Sequence, residues 1–199
     1  FHYVLCLSEA KGMNIIMKKA AVFFGTGYEE IEALTVVDLL RRVGIETVCV
    51  AVDNKSHVTG SHNISVAMDT GIDALDFNCF DILVCPGGMP GTKNLEACTE
   101  LTEQLRKFSE NGKLIAAICA APSIFGHMGL LAGKKACIYP GMEKELSGAE
   151  VCFDAVVKSG NIIMSRGMGT AIAFSLEIIA SLLDKETADD LAKKIVYTK

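Results

Sequence analysis

The sequence predicts an α/β fold with a mostly parallel central sheet, and three observations carry that prediction. From Lys19 onward, short β-branched or apolar runs alternate with helical patterns, the signature of strands joined by crossover helices. The runs at 82–85 and 114–118 are apolar without interruption, as expected for strands covered on both faces. Half of the 199 residues are hydrophobic, enough to cover such a sheet.

Ala20 to Phe24 reads as the first strand and Gly25-Thr26-Gly27 as its turn. Glu30 to Val43 carries apolar residues at 31, 34, 36, 37, 39, 40 and 43, a helical stripe that Gly44 ends at the usual C-terminal position. Thr47 to Val52 is the next strand, and Ile64 to Met68 a short one after the polar turn at 60–63. Ile82 to Cys85 runs into Pro86-Gly87-Gly88-Met89-Pro90-Gly91, followed by a helix from about Asn94 to Ser109 that Asn111-Gly112 closes. Leu114 to Ile118 leads straight into Cys119-Ala120-Ala121-Pro122 and a helix to about Met128. Strands are then expected at Ala136 to Tyr139, Val156 to Lys158 and Ile162 to Ser165, and helices at Ala171 to Leu183 and Lys185 to Ile195.

At roughly 150 residues per domain, the length fits one domain, residues 17–199. Residues 1–16 read as an N-terminal extension: the chain begins at Phe1, methionines stand at 13 and 17, and 1–7 is too short and lacks the basic start of a signal peptide. The net charge is −5 and no Lys/Arg run could track a phosphate backbone, which argues against nucleic acid as a partner. No apolar stretch approaches the ~20 residues that cross a bilayer, so a membrane role has no support. The eight cysteines are scattered, with no Cys-x-x-Cys and no neighbouring His for a zinc knuckle. That pattern fits a reducing, cytoplasmic compartment in which most cysteines are small buried hydrophobes, and it predicts no metal site.

Cys119 differs from the others because it sits at the carboxyl end of a parallel strand, where ligands collect in open α/β sheets. The N-terminus of the following helix would favour thiolate over thiol, and the small residues 116, 117, 120 and 121 permit a sharp turn. Gly87 and Gly88 end another strand and could direct backbone N–H groups to the same place. Of the acidic residues Glu29, Glu30 and Glu32, the first two read as dipole-stabilising groups. Glu32 falls on the buried side of its helix with Ala33, Val36 and Leu39, where a carboxyl would hold its proton and could exchange it with an adduct on sulfur.

Taken together, Glu29-Glu30-Ile31-Glu32, Pro86-Gly87-Gly88, Ala116-Ala117-Ile118-Cys119-Ala120-Ala121-Pro122 and Ser165-Arg166-Gly167-Met168-Gly169-Thr170 resemble the ThiJ/PfpI superfamily, specifically its DJ-one branch, in order and spacing from about Met17 to Leu183. The resemblance implies a flavodoxin-like three-layer sandwich, a homodimer, and Cys119 as an oxidation-prone nucleophile with Glu32 as its acid partner. It also implies backbone N–H groups of Gly88 and Ala120 for an oxyanion or a sulfinate, and Gly87, Tyr139 and Arg166 around the pocket. For Arg166 a structural salt bridge is an equal expectation. Asp38 and Arg42 match positions near the dimer contact. At position 139 the best-known animal members carry His near the thiol, whereas Tyr139 cannot act as a base near neutral pH.

Two functions of different class follow. In the first, Cys119 adds to the aldehyde of a dicarbonyl such as methylglyoxal, Glu32 moves a proton between adjacent carbons, and a 2-hydroxy acid is released without any cofactor; repair of glycated adducts would use the same thiol. In the second, Cys119 is a peroxide sensor that stops at the sulfinate, and the dimer is a stress-response binding protein or chaperone. A cysteine protease or amidase is disfavoured because Ala120, not His, follows the nucleophile. The four His, at 2, 57, 62 and 127, offer no clear substitute base.

Overall fold

In the computed structural model the described residues are 17–198, so the reading of residues 1–16 as an extension lies outside them. The elements in chain order are β1 (Lys19–Phe24), α1 (Glu30–Arg42), β2 (Glu46–Ala51), β3 (His57–Thr59), β4 (Ser65–Ala67), β5 (Thr70–Gly71), β6 (Ile82–Cys85), α2 (Gly91–Ala97), α3 (Thr99–Glu110), β7 (Leu114–Ile118), α4 (Pro122–His127), β8 (Lys135–Ala136), β9 (Glu150–Val151), β10 (Val156–Ser159), β11 (Ile162–Ser165), α5 (Ala171–Leu182) and α6 (Lys185–Lys194). Among the described residues the main sheet has seven strands in the order β10-β11-β7-β6-β1-β2-β5, and only the edge pair β10/β11 is antiparallel. This is the mixed α/β, flavodoxin-like architecture that the sequence predicts.

The sheet separates two apolar layers because side chains alternate along each strand. Ala20, Val22 and Phe24 of β1 pack with Val36, Leu40, Phe174 and Ile178 from α1 and α5. Ala21 and Phe23 face the other way, toward Leu95, Leu101, Leu105 and Phe125 from α2, α3 and α4. All of these side chains are fully buried, and each of the large ones contributes about 1.5–3 kcal/mol relative to exposure. The uniformly apolar β6 and β7 follow from that position, since no strand in the middle of the sheet has a wet face.

Two expectations are corrected. The helix foreseen at 94–109 begins earlier, at Gly91, and is broken at Cys98, whose extended backbone ends α2 and whose carbonyl starts α3 by accepting from the Thr102 N–H. The strand foreseen at 136–139 is cut to β8, because the Tyr139 N–H bonds to the Cys119 carbonyl instead of to a neighbouring strand. The short strand foreseen at 64–68 is present as β4, in a hairpin with β3 beside the main sheet.

The chain steps from β1 outward to β2, then returns to place β6 on the opposite flank of β1. The carboxyl ends of β1 and β6 therefore form a switch point, where the loops diverge and leave a crevice. The loop at 86–90 and the first turn of α1 border it, and β7 delivers Cys119 alongside.

Candidate active site

Cys119 follows β7 with φ at 64°, in the left-handed region that a non-glycine residue adopts only at some energetic expense. Tertiary contacts hold it there. Its N–H donates to the Ser165 carbonyl at 3.0 Å, and its carbonyl accepts from the Tyr139 N–H at 2.9 Å. Ser165 is itself fully buried, and its hydroxyl bonds to the Ala155 carbonyl at 2.7 Å and pairs with the Thr170 hydroxyl at 2.6 Å. The Ser165 to Thr170 motif thus supports the turn that presents the sulfur.

Glu32 projects from the first turns of α1 and is completely buried. One carboxylate oxygen accepts from the Gly87 N–H at 2.9 Å, and the carboxyl is hydrogen-bonded to Cys119. Its other oxygen, Oε1, has no hydrogen-bond partner among the described residues. Burial pushes Glu32 from the usual 4.5 up to about 7, against the hydrogen bonds from Cys119 and Gly87. The backbone N–H groups of Ala120 and Gly88 point at the sulfur and pull the thiol down, but burial and the adjacent Glu32 carboxylate together push it up to about 12. The expectation that the helix N-terminus would favour thiolate over thiol is therefore corrected: helix α4 has only six residues, and burial, with the Glu32 carboxylate after it, holds the sulfur as the thiol. With Glu32 at about 7 and Cys119 at about 12, the thiol keeps its proton at neutral pH while the carboxyl is close to half ionised, and moving the thiol's proton to an ionised Glu32 leaves a thiolate with two N–H donors.

Glycine is required at two positions in this cradle. A Cβ on Gly87 would lie 2.6 Å from both Cys119 Cβ and Glu32 Oε2, and 2.9 Å from the Ile118 carbonyl oxygen. Gly88 has φ at 88°, and a Cβ there would meet the backbone of Tyr28 at 2.6 Å. The loop is tied to α1 through the Glu29 N–H, which donates to the Gly87 carbonyl at 2.9 Å.

The remaining sequence-predicted residues lie farther out. Tyr139 and Arg166 line a shallow cavity of about 370 Å³ with Phe153 and Met168, and neither Cys119 nor Glu32 is among its lining residues. Arg166 forms no ion pair among the described residues, so the expected salt bridge is not made. Instead its guanidinium lies over the Phe153 ring, 5.5 Å from the centroid, and donates to the Phe153 carbonyl at 3.4 Å. Asp38 and Arg42 form an exposed ion pair at 2.7 Å on α1, away from the sulfur.

Sequence reasoning missed the second layer around Glu32. Glu29 and Glu30 are buried as well, and the β3–β4 hairpin turn accounts for it. The His62 N–H donates to Glu30 at 2.8 Å, and the Ser61 hydroxyl lies 3.2 Å from both Glu29 and Glu30. Against the burial that would raise it, these hydrogen bonds hold Glu30 down at about 2. Glu29 raises Glu32 further by charge repulsion. Among the described residues no histidine ring is bonded to Cys119: His62 faces Glu30, His57 lies beside the Ser56 hydroxyl, and His127 bridges Glu96 at 2.6 Å and Glu145 at 2.7 Å.

Comparison with known proteins places this geometry in a family. Residues 18–181 match the model of the DJ-1/PfpI family. Protein DJ-1 homolog B of Arabidopsis thaliana is 36% identical over 186 residues, covering 92% of this chain but 42% of that protein, so the chain spans less than half of that relative's length. A Caenorhabditis elegans protein named glutathione-independent glyoxalase DJR-1.2 is 33% identical over 172 residues, 86% of this chain and 91% of that one. Among solved structures, Toxoplasma gondii DJ-1 in an oxidized form superimposes with a TM-score of 0.88 at 36% identity, covering 92% of this chain and all of that chain. The chain belongs to the DJ-1/PfpI family.

Proposed function

We propose that the protein is a glutathione-independent glyoxalase that acts through Cys119 on small reactive dicarbonyls such as methylglyoxal, and by the same chemistry on early glycation adducts. The observation that carries this reading is the hydrogen-bonded pair of a buried carboxyl, Glu32, and a strained, part-exposed thiol, Cys119, with the Gly88 and Ala120 N–H groups on the sulfur. The name of the Caenorhabditis elegans relative supports it.

With its proton on Glu32, the Cys119 thiolate adds to the aldehyde carbon, and the new alkoxide takes a proton to give a hemithioacetal. The carboxylate left on Glu32 removes the hydrogen from that carbon and returns a proton to the neighbouring one, which converts the adduct to a thioester of lactate. Water then releases lactate and restores the thiol, so that one dicarbonyl and one water become one 2-hydroxy acid. The Gly88 and Ala120 N–H groups stabilise the oxyanion, and no metal or nucleotide takes part. Tyr139 and Arg166 form the outer wall of the substrate's approach, and the α1 face bearing Asp38 and Arg42 forms a homodimer contact.

The test is lactate production from methylglyoxal without glutathione. Cys119→Ala should abolish it and Glu32→Gln should reduce it by about 100-fold or more; wild-type turnover in either variant would overturn the assignment. A second reading, a peroxide sensor that holds Cys119 as a sulfinate, is favoured by the same N–H groups and by a protonated Glu32 able to donate to an oxidised sulfur. It predicts no turnover at all from a protein whose Cys119 still oxidises with peroxide.

A further inference from the structure

Two cysteines outside this site are brought together by strand pairing. Strands β8 and β9 are parallel, in the register Lys135 to Glu150 and Ala136 to Val151, and the Cys152 N–H extends the ladder by donating to the Ala136 carbonyl at 2.9 Å. The ladder ends there, and Cys137 and Cys152 are the next residue on each strand; the Cys152 thiol donates to the Ala136 carbonyl at 3.4 Å and packs against the apolar cluster that holds Cys137. Opposed residues on adjacent strands project to the same face, and the strands lie roughly 4.8 Å apart. That separation is inside the roughly 4.4–6.8 Å between Cα atoms that a disulfide needs.

We propose that Cys137 and Cys152 are a reversible dithiol/disulfide site, oxidised by hydroperoxides, that closes a covalent clasp around the segment carrying Tyr139. Cys152 is partly exposed and Cys137 fully buried, so peroxide reaches Cys152 first. The Cys152 sulfur takes the terminal oxygen of the hydroperoxide to become a sulfenic acid, and the alcohol or water leaves with the thiol's proton. Cys137 then attacks that sulfur, its own proton leaves with the hydroxyl as water, and the disulfide forms with a net loss of two hydrogens from the protein.

The Cys152 thiol is close enough to act on the charge of Cys137: burial, Cys152 and Asp154 push the Cys137 thiol up to about 12, while the Arg166 guanidinium and the Val157 N–H pull it down. Arg166 has its Nε buried without a hydrogen-bond partner and makes no ion pair among the described residues, while its charge also acts on Glu143. Because Tyr139 lies two residues after Cys137 and its N–H holds the Cys119 carbonyl, the clasp bears on the turn that presents Cys119. The proposal does not depend on what Cys119 does.

It is tested in the full chain carrying Cys119→Ala, so that the other reactive thiol is absent, and in parallel in the unaltered chain. The protein is treated with graded hydrogen peroxide, remaining thiols are alkylated, and tryptic peptides are compared with and without dithiothreitol. Lys144 separates the two cysteines into the peptides 136–144 and 145–158. The expected result is a linked pair of these peptides, about 2 Da below their sum, that dithiothreitol separates. Cys152→Ser should leave Cys137 alkylatable after peroxide. Separate sulfinates at the two positions with no linked pair, or a link from either cysteine to a different peptide, would overturn the proposal.

Discussion

Replacing Glu32 by Gln tests the electrostatics of the site without reference to any substrate. In the folded protein burial raises the Glu32 carboxyl from 4.5 to about 7. The folded state therefore binds this proton more tightly than the unfolded state, and stability falls as pH rises between those values. The contribution is fully present below about pH 4.5 and is lost as pH passes through 7. At about 1.36 kcal/mol per pKa unit, the ionised carboxylate destabilises the fold by about 3 kcal/mol at pH 8 relative to its neutral form. Glutamine is always neutral, can accept the Gly87 N–H as Glu32 does, and can donate its amide to the sulfur. Urea denaturation of both proteins from pH 5 to pH 8.5 should therefore give similar stabilities at the acid end, and at the alkaline end a Glu32→Gln protein that is more stable by about 3 kcal/mol. Titrating groups remote from Glu32 cancel in the difference, and Cys119, whose thiol the carboxylate raises, is taken out of it by repeating the comparison with Cys119→Ala in both chains. Parallel curves across that range would refute the reasoning.

Gly87→Ala should lower stability by about 1–3 kcal/mol and disable the site, because its Cβ would lie against Cys119, Glu32 and the Ile118 carbonyl with no flexible neighbour to yield; denaturation and thiol-alkylation rates check both effects. With φ at 64°, Cys119→Gly should be more stable than Cys119→Ala by about 1 kcal/mol, the reverse of the usual order at an ordinary backbone position, as read by thermal unfolding. His127 is held above its usual 6.5 by the side chains of Glu96 and Glu145, so it stabilises the fold below pH 6.5 and the benefit is lost as pH rises through its folded value. His127→Gln should consequently lose stability at pH 6 and little at pH 9; at 40% exposure solvent screening keeps the difference to about 1 kcal/mol or less. Arg42→Glu, which places two like charges together with Asp38 at the proposed dimer contact, should shift the mass measured by analytical ultracentrifugation toward the monomer.

What the sequence reveals of this site is what local patterning controls. Strands β6 and β7 begin and end where their apolar runs do, as expected of strands covered on both faces. Glu32 is identifiable because the helical period sets it beside Ala33, Val36 and Leu39, all buried. The burial of Glu29 and Glu30 is not legible in this way. It depends on Ser61 and His62, about thirty residues away in a hairpin whose strands are three residues each. The thiolate expected from the helix N-terminus at Cys119 is a local inference of the same kind, and it is outweighed by burial and then by Glu32 on a different helix, both set by the tertiary fold. The early end of β8 likewise follows from a tertiary hydrogen bond, from the Tyr139 N–H to the Cys119 carbonyl, which leaves no periodic trace in the sequence.

The central claim is that Cys119 is a nucleophile that turns over, and the most direct measurement is the number of lactate molecules formed per protein chain from excess methylglyoxal without metal or glutathione. The account predicts many equivalents per Cys119, lost after peroxide pretreatment that oxidises the sulfur. One equivalent or less, ending in a stable adduct on Cys119, would contradict it.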